Sequence, residues 1–178
     1  MLFSCVLAQQ QMKVTHHAVL DIFNLNQPIG QIRIALFGAD YPNIVSNFMQ
    51  LANGPENKQY AYCPFHSIIK NFMIQTGDFQ RGDGRGKAVL IQEPLETVQR
   101  NHPTTYSVAQ TDGSQFYIVT GKQNHMRDPV FGHVIEGHYL VNWINEQNVD
   151  ILNRPLSRID IGGSRAEPVQ EYILRIND

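Results

Sequence analysis

Apolar residues recur at every second position through much of this chain, whereas helical spacing occurs in only two places. Val14, His16, Ala18, Leu20 and Ile22 share one face of a first run, and Ile32, Ile34 and Leu36 share one face of a second. Both read as half-buried strands. The turn formers between them, residues 24–30, predict an antiparallel hairpin. Spacing near 3.6 then sets Ile44, Val45, Phe48, Met49, Leu51 and Ala52 on one stripe, with Pro42 at a first helical position and Gly54 as a C-terminal cap. Short apolar and β-branched runs follow at 65–69, 72–75, 106–109, 116–120 and 130–135, separated by turn clusters. A second helical stripe, Tyr139, Leu140, Trp143 and Ile144, precedes strand-like 159–161 and 172–176. Many short strands with two helices predict a mainly β fold, a closed or nearly closed barrel with the helices placed to cover its open ends.

A chain of 178 residues with 42% hydrophobic and 17% charged residues supports one packed core, expected over 13–178. Lys and Arg total 14 against 16 for Asp and Glu, so the charge excess that drives phosphate-backbone binding is missing and nucleic acid is not an expected partner. Cys5 and Cys63 form neither a disulfide framework nor a zinc set. His16 and His17, adjacent in a strand, point to opposite faces and cannot hold one ion. Neither metal nor cofactor is expected, and a monomer is. The glycines at 82, 84 and 86 lack the spacing of a phosphate loop and read as a turn. Residues 1–12 read as a tail or a signal-peptide remnant: the apolar run 2–8 resembles an h-region without a basic n-region, and it is too short to span a membrane. Secretory and cytoplasmic locations both fit.

Two stretches carry a resemblance. Phe65-His66-Ser67-Ile68-Ile69-Lys70-Asn71-Phe72-Met73-Ile74-Gln75-Thr76-Gly77-Asp78-Phe79 resembles the cyclophilin segment Phe-His-Arg-Ile-Ile-x-x-Phe-Met-x-Gln-Gly-Gly-Asp-Phe. Gly113-Ser114-Gln115-Phe116-Tyr117-Ile118, followed by Val130-Phe131-Gly132-His133-Val134-Ile135-Glu136-Gly137, is similar to a second and a third motif of that family. The resemblance implies a barrel of eight antiparallel strands with two helices, and peptidyl-prolyl cis-trans isomerase activity on proline-containing peptides or protein clients.

Rotating an X-Pro amide means breaking its resonance, a barrier of ~18–20 kcal/mol. A catalyst needs an apolar grip on the proline ring and a donor aimed at the prolyl nitrogen, whose lone pair becomes available only in the twisted state. By resemblance, Phe72, Met73 and Tyr117 form the proline pocket with Met126 on its rim. Gln75 and Gln115 bond the peptide, His66 adjoins the site, and Ala109 with Gln110 lies along the residue before proline. Without the resemblance, apolar residues at strand spacing read as core, and for Phe116 core remains the reading because it alternates with Tyr117.

Three departures alter the expectation. Ser67 stands where the family carries its catalytic arginine, which implies reduced turnover or, as the alternative, a catalytically silent proline-peptide-binding module. The loop from Ala109 to Gly113 is shorter than the family's. His125 lies where many members have tryptophan, which together with Ser67 implies weak cyclosporin binding.

Overall fold

In the computed structural model, which describes residues 9–122 and 126–177, the first alternating run is strand β1 (Gln10–Asn24) and the second is β2 (Gln27–Leu36). The connection is tighter than the turn formers imply. Asn24 pairs with Gln27, leaving Leu25 and Asn26 as a two-residue turn with φ of 49° and 66°. Positive φ at both positions matches the right-handed twist of the flanking strands. Leu25 bears this unfavoured conformation because its N–H donates to the Arg158 carbonyl at 3.0 Å. Pro28 and Gly30 fall inside β2, where a bulge beside Ile22 and Phe23 absorbs them.

Helix α1 (Pro42–Ala52) follows the predicted stripe and buries Ile44, Val45, Phe48, Leu51 and Ala52. Its first free N–H groups, of Asn43 and Ile44, both donate to the Glu96 carboxylate at 2.8 Å, a cap supplied from far along the chain. The helix ends at Asn53 rather than at a left-handed glycine. Gly54 is glycine for another reason: a Cβ there would lie 2.2 Å from the Lys58 carbonyl oxygen. The Phe48 ring reaches into the core, with centroids 4.8 Å from Tyr60, 5.2 Å from Phe116 and 5.5 Å from Phe131.

The remaining strands are β3 (Ser67–Ile69), β4 (Met73–Thr76), β5 (Ser107–Gln110), β6 (Phe116–Val119), β7 (Val130–Glu136) and β8 (Ile159–Ile176), with α2 (His138–Asn145) between the last two. In α2 the buried residues are Leu140, Val141, Ile144 and Asn145, while Tyr139 and Trp143 of the expected stripe face solvent. Among the described residues no helix is long and apolar enough to cross a membrane.

All eight strands join one antiparallel sheet in the order β3-β4-β6-β5-β7-β2-β1-β8. The expectation of a closed ladder is corrected here, because β3 and β8 are edges that do not pair with each other. Residues 62–65 fill the gap instead: Tyr62 and Phe65 donate to the Ile161 and Ile159 carbonyls, and Ile161 donates back to Cys63. The two runs expected at 159–161 and 172–176 are one strand. Between them the sequence loses its apolar alternation, and pairing with β1 holds the backbone extended instead. β1 itself starts at Gln10, inside the stretch read as tail, with Gln10, Gln11 and Met12 opposite Ile176, Arg175 and Leu174.

His133 on β7 is largely enclosed, and burial followed by the neighbouring His138 pushes its imidazole down to about 4. The unfolded chain takes up this proton near the ordinary pKa of ~6.5, so its contribution to stability falls as pH drops from there toward 4. The expected loss is of order 2–3 kcal/mol. Denaturant midpoints followed from about pH 7 to about pH 4.5 should show it, and His133→Leu should flatten the slope.

Candidate functional site

Four neighbouring strands each contribute one residue to a row. Ser67 of β3 is opposite Gln75 of β4, Gln75 is opposite Tyr117 of β6, and Tyr117 is opposite Ala109 of β5. Directly opposed residues share a face, so these four side chains stand together. The next row, Ile69, Met73 and Val119, extends the same face. Alternation sends Ile68, Ile74, Ile118 and Val108 the other way into the core, where each is at most 1% exposed. Phe116 is likewise fully buried and packs on Phe48 and Tyr60, as its alternation with Tyr117 requires.

The face is apolar at its centre and polar along one margin. Met73 and Tyr117 are nearly buried, and Phe72, half-buried in the turn between β3 and β4, packs beside the core together with Met126. The Tyr117 hydroxyl donates to the Asp128 carboxylate at 2.8 Å. Burial and then that carboxylate push the phenol well above the ordinary tyrosine range, so it stays protonated. On the polar margin Gln75 donates through Nε2 to Oε1 of Gln115 at 3.0 Å. Gln115 in turn donates to the carbonyls of Gly84 at 3.1 Å and Gly86 at 2.6 Å. Its amide is thus used inside the protein, and the structure places Gln115 behind Gln75 rather than on the open face. Ser67 is half-buried.

Gln110 does not join the row. It pairs with Phe116, is buried, and its Nε2 donates to the Gly113 carbonyl, closing its own short loop. Ala109 does join, fully buried beside Tyr117. His125 lies outside the described residues. His66 is buried with both ring nitrogens unpartnered, and the missing Cβ of Gly84 makes room for its ring: a methyl there would come within 2.8 Å of it. Burial lowers the imidazole pKa, only partly opposed by the Asp78 charge, so His66 is neutral near pH 7.

Asp78, which the sequence motifs do not single out, organises this margin. Its carboxylate accepts from the N–H groups of Arg81 at 3.0 Å, Asp83 at 3.3 Å, Gly84 at 2.9 Å and Gly86 at 3.0 Å. Burial alone would raise its pKa, but these four bonds outweigh it and hold the carboxyl below its ordinary value. Gly82 and Gly84, with φ of 68° and 84°, allow the loop to wrap the carboxylate. An aspartate just ahead of three alternating glycines is the signal that could have marked it. Nothing local marks Asp128 as the partner of Tyr117.

The face thus sets the nearly buried apolar bodies of Met73 and Tyr117 beside the Gln75 amide, a combination chemically able to meet an apolar side chain and a backbone polar group of an extended peptide. Residues 22–165 match the family model described as "Cyclophilin type peptidyl-prolyl cis-trans isomerase/CLD". Peptidyl-prolyl cis-trans isomerase 9 of Caenorhabditis elegans is 34% identical over 158 residues, covering 79% of this chain and 51% of the worm protein. Peptidyl-prolyl cis-trans isomerase D of Saccharomyces cerevisiae is 32% identical over 160 residues, covering 84% of this chain and 71% of the yeast protein. The rhodopsin-specific isozyme of Calliphora vicina is 28% identical over 183 residues, covering 97% and 78%. The chain belongs to the cyclophilin-type peptidyl-prolyl cis-trans isomerase family, and it spans about half the length of the worm relative.

Proposed function

We propose that this chain binds X-Pro segments of polypeptides on the face formed by Ser67, Gln75, Met73 and Tyr117, and that it isomerises them slowly. The observation that carries the reading is the register of β3 against β4. It sets position 67 beside Gln75, where a side chain can reach a bound peptide, and the residue there is a serine. A hydroxyl cannot supply the charge-assisted bond of a guanidinium. Losing a bond of ~1.5–3 kcal/mol made in the twisted state slows turnover ~10–100-fold. The apolar grip and the Gln75 amide remain, so ground-state binding persists.

The same observation supports the second reading, a proline-peptide-binding module without useful turnover. Of the three local arginines that could stand in, Arg81, Arg85 and Arg127, two are engaged elsewhere: Arg85 is bonded to Asp83 at 2.6 Å, and Arg81 lies 3.6 Å from the same carboxylate. Exchange NMR on an Ala-Pro peptide, run with a binding titration, separates the two readings. Measurable exchange broadening that saturates with binding supports the isomerase, and binding without exchange supports the module.

Met73→Glu places a charge in the apolar centre and is expected to abolish peptide binding. Because Met73 is only 9% exposed, thermal melts accompany the titration, and Gln75→Ala, at a more open position, is the companion change with a partial loss. Peptide shifts that map elsewhere and ignore both changes overturn the site. Cyclosporin is expected to bind more weakly than to arginine-bearing relatives, because Ser67 removes a donor from the same face. Nanomolar affinity by calorimetry would refute that.

A further inference from the structure

The last strand of the sheet carries a surface that the proposed function leaves unused. β8 ends the strand order, with β1 on one side. Along its first half the outer edge is occupied: residues 62–65 meet 159–161, and the Asn53 side chain bonds both the N–H and the carbonyl of Ala166, at 2.9 and 2.7 Å. Beyond exposed Pro168, which has no N–H to offer, no strand lies on that edge among the described residues. Residues 170–173 and 175 are exposed, and Ile173 is 54% open. An unpaired, exposed strand edge is a template for another strand.

We infer that this edge pairs with a second copy of this chain, β8 against β8, antiparallel about a two-fold axis at Ile173. The sequence here is Glu171-Tyr172-Ile173-Leu174-Arg175, with opposite charges two positions either side of Ile173. In that register Glu171 of each copy faces Arg175 of the other, twice by symmetry, and Ile173 faces its own counterpart. The three residues share a face: Ile173 is paired with Lys13 of β1, Arg175 with Gln11, and the Lys13 ammonium already contacts Oε2 of Glu171. Oε1 of Glu171 is left for the arginine of the second copy. Shifting the register by two residues sets Ile173 against a charged residue and breaks both ion pairs. A foreign strand would need the same charge order reversed, which this strand supplies to itself.

A contact of about five residues per copy is far smaller than the ~800 Å² per partner of stable complexes. The dimer is therefore weak and concentration-dependent, replacing the monomer expected from sequence only at high concentration. Sedimentation velocity over about a hundredfold range of concentration is the test. The wild-type chain is expected to shift toward twice its monomer mass, less so at high salt. Glu171→Arg and Arg175→Glu, both at exposed positions, each set like charges face to face twice and should weaken association at least about tenfold. Mixed together, the two single variants should form a heterodimer, since the Glu171→Arg copy then presents positive charge at both positions to a Glu-bearing Arg175→Glu copy that is negative at both. A wild-type chain that stays monomeric throughout, dimers indifferent to either change, or a mixture that stays monomeric would each overturn the inference.

Discussion

Replacing Ser67 by arginine is expected to raise isomerase turnover at least about tenfold while changing peptide affinity little. Position 67 is directly opposite Gln75, so the new side chain starts on the peptide face without any backbone change. Ser67 is half-buried at the start of edge strand β3, and an arginine can lay its stem along Ile69 and Met73 while its head stays wet. From there the guanidinium reaches the prolyl nitrogen, a contact that strengthens as the amide twists and so lowers the barrier more than it deepens binding. Wild type and variant would be compared on one Ala-Pro substrate, with thermal melts to establish that both are folded. Equal rates in two folded proteins would mean that the wild type already has a substitute donor or that the prolyl nitrogen is not presented to position 67.

Asp78→Ala is expected to cost ~3–5 kcal/mol of stability and to weaken peptide binding, by no more than Gln75→Ala does, in whatever fraction still folds. Four backbone donors would lose their common acceptor, and Gly86 is packed so close to the carboxylate that a Cβ there would overlap it. The loop they form supplies the carbonyls of Gly84 and Gly86 that hold Gln115, and Gln115 aims Gln75. Asp78→Asn keeps one acceptor oxygen and should fall between wild type and alanine. Because the folded carboxyl titrates below its ordinary value, its contribution is present above about 3.8 and is lost as pH falls through the lower folded value. That window lies below the one set by His133. Denaturant unfolding and peptide titration of both variants provide the check, and an alanine variant with wild-type stability and affinity would remove Asp78 from this role.

The strands were legible wherever one face meets the core and the other does not, as in β1 from Val14 and in β2. The middle of β8 was not, because residues 163–168 are held extended by their ladder with β1 rather than by a buried face of their own. The break in the sheet between β3 and β8 was hidden for a related reason. Residues 62–65 make strand-like bonds through the backbone, and backbone bonds leave no side-chain pattern. At the site, Ser67, Gln75, Met73, Tyr117 and Ala109 could be named from motifs, and the register brings them together. Motifs did not show that Gln115 and Gln110 spend their amides on the protein, which depends on which carbonyls lie near them in space.

The break bridged by residues 62–65 bears on how the protein is made. Phe65, two positions before Ser67, donates to Ile159, and the Ile68 N–H donates to Asn153. Edge strand β3, at the margin of the proposed binding face, is thus fastened on its outer side by segments translated some ninety residues later. The first strand waits as well, since Gln10 finds its partner only at Ile176. During synthesis the residues at 67–69 therefore pass about half of the chain's elongation without the neighbours on that side, and pairing across such separations is slow to close. The outer side of β3 is therefore completed only once the segment at 153–161 has been made.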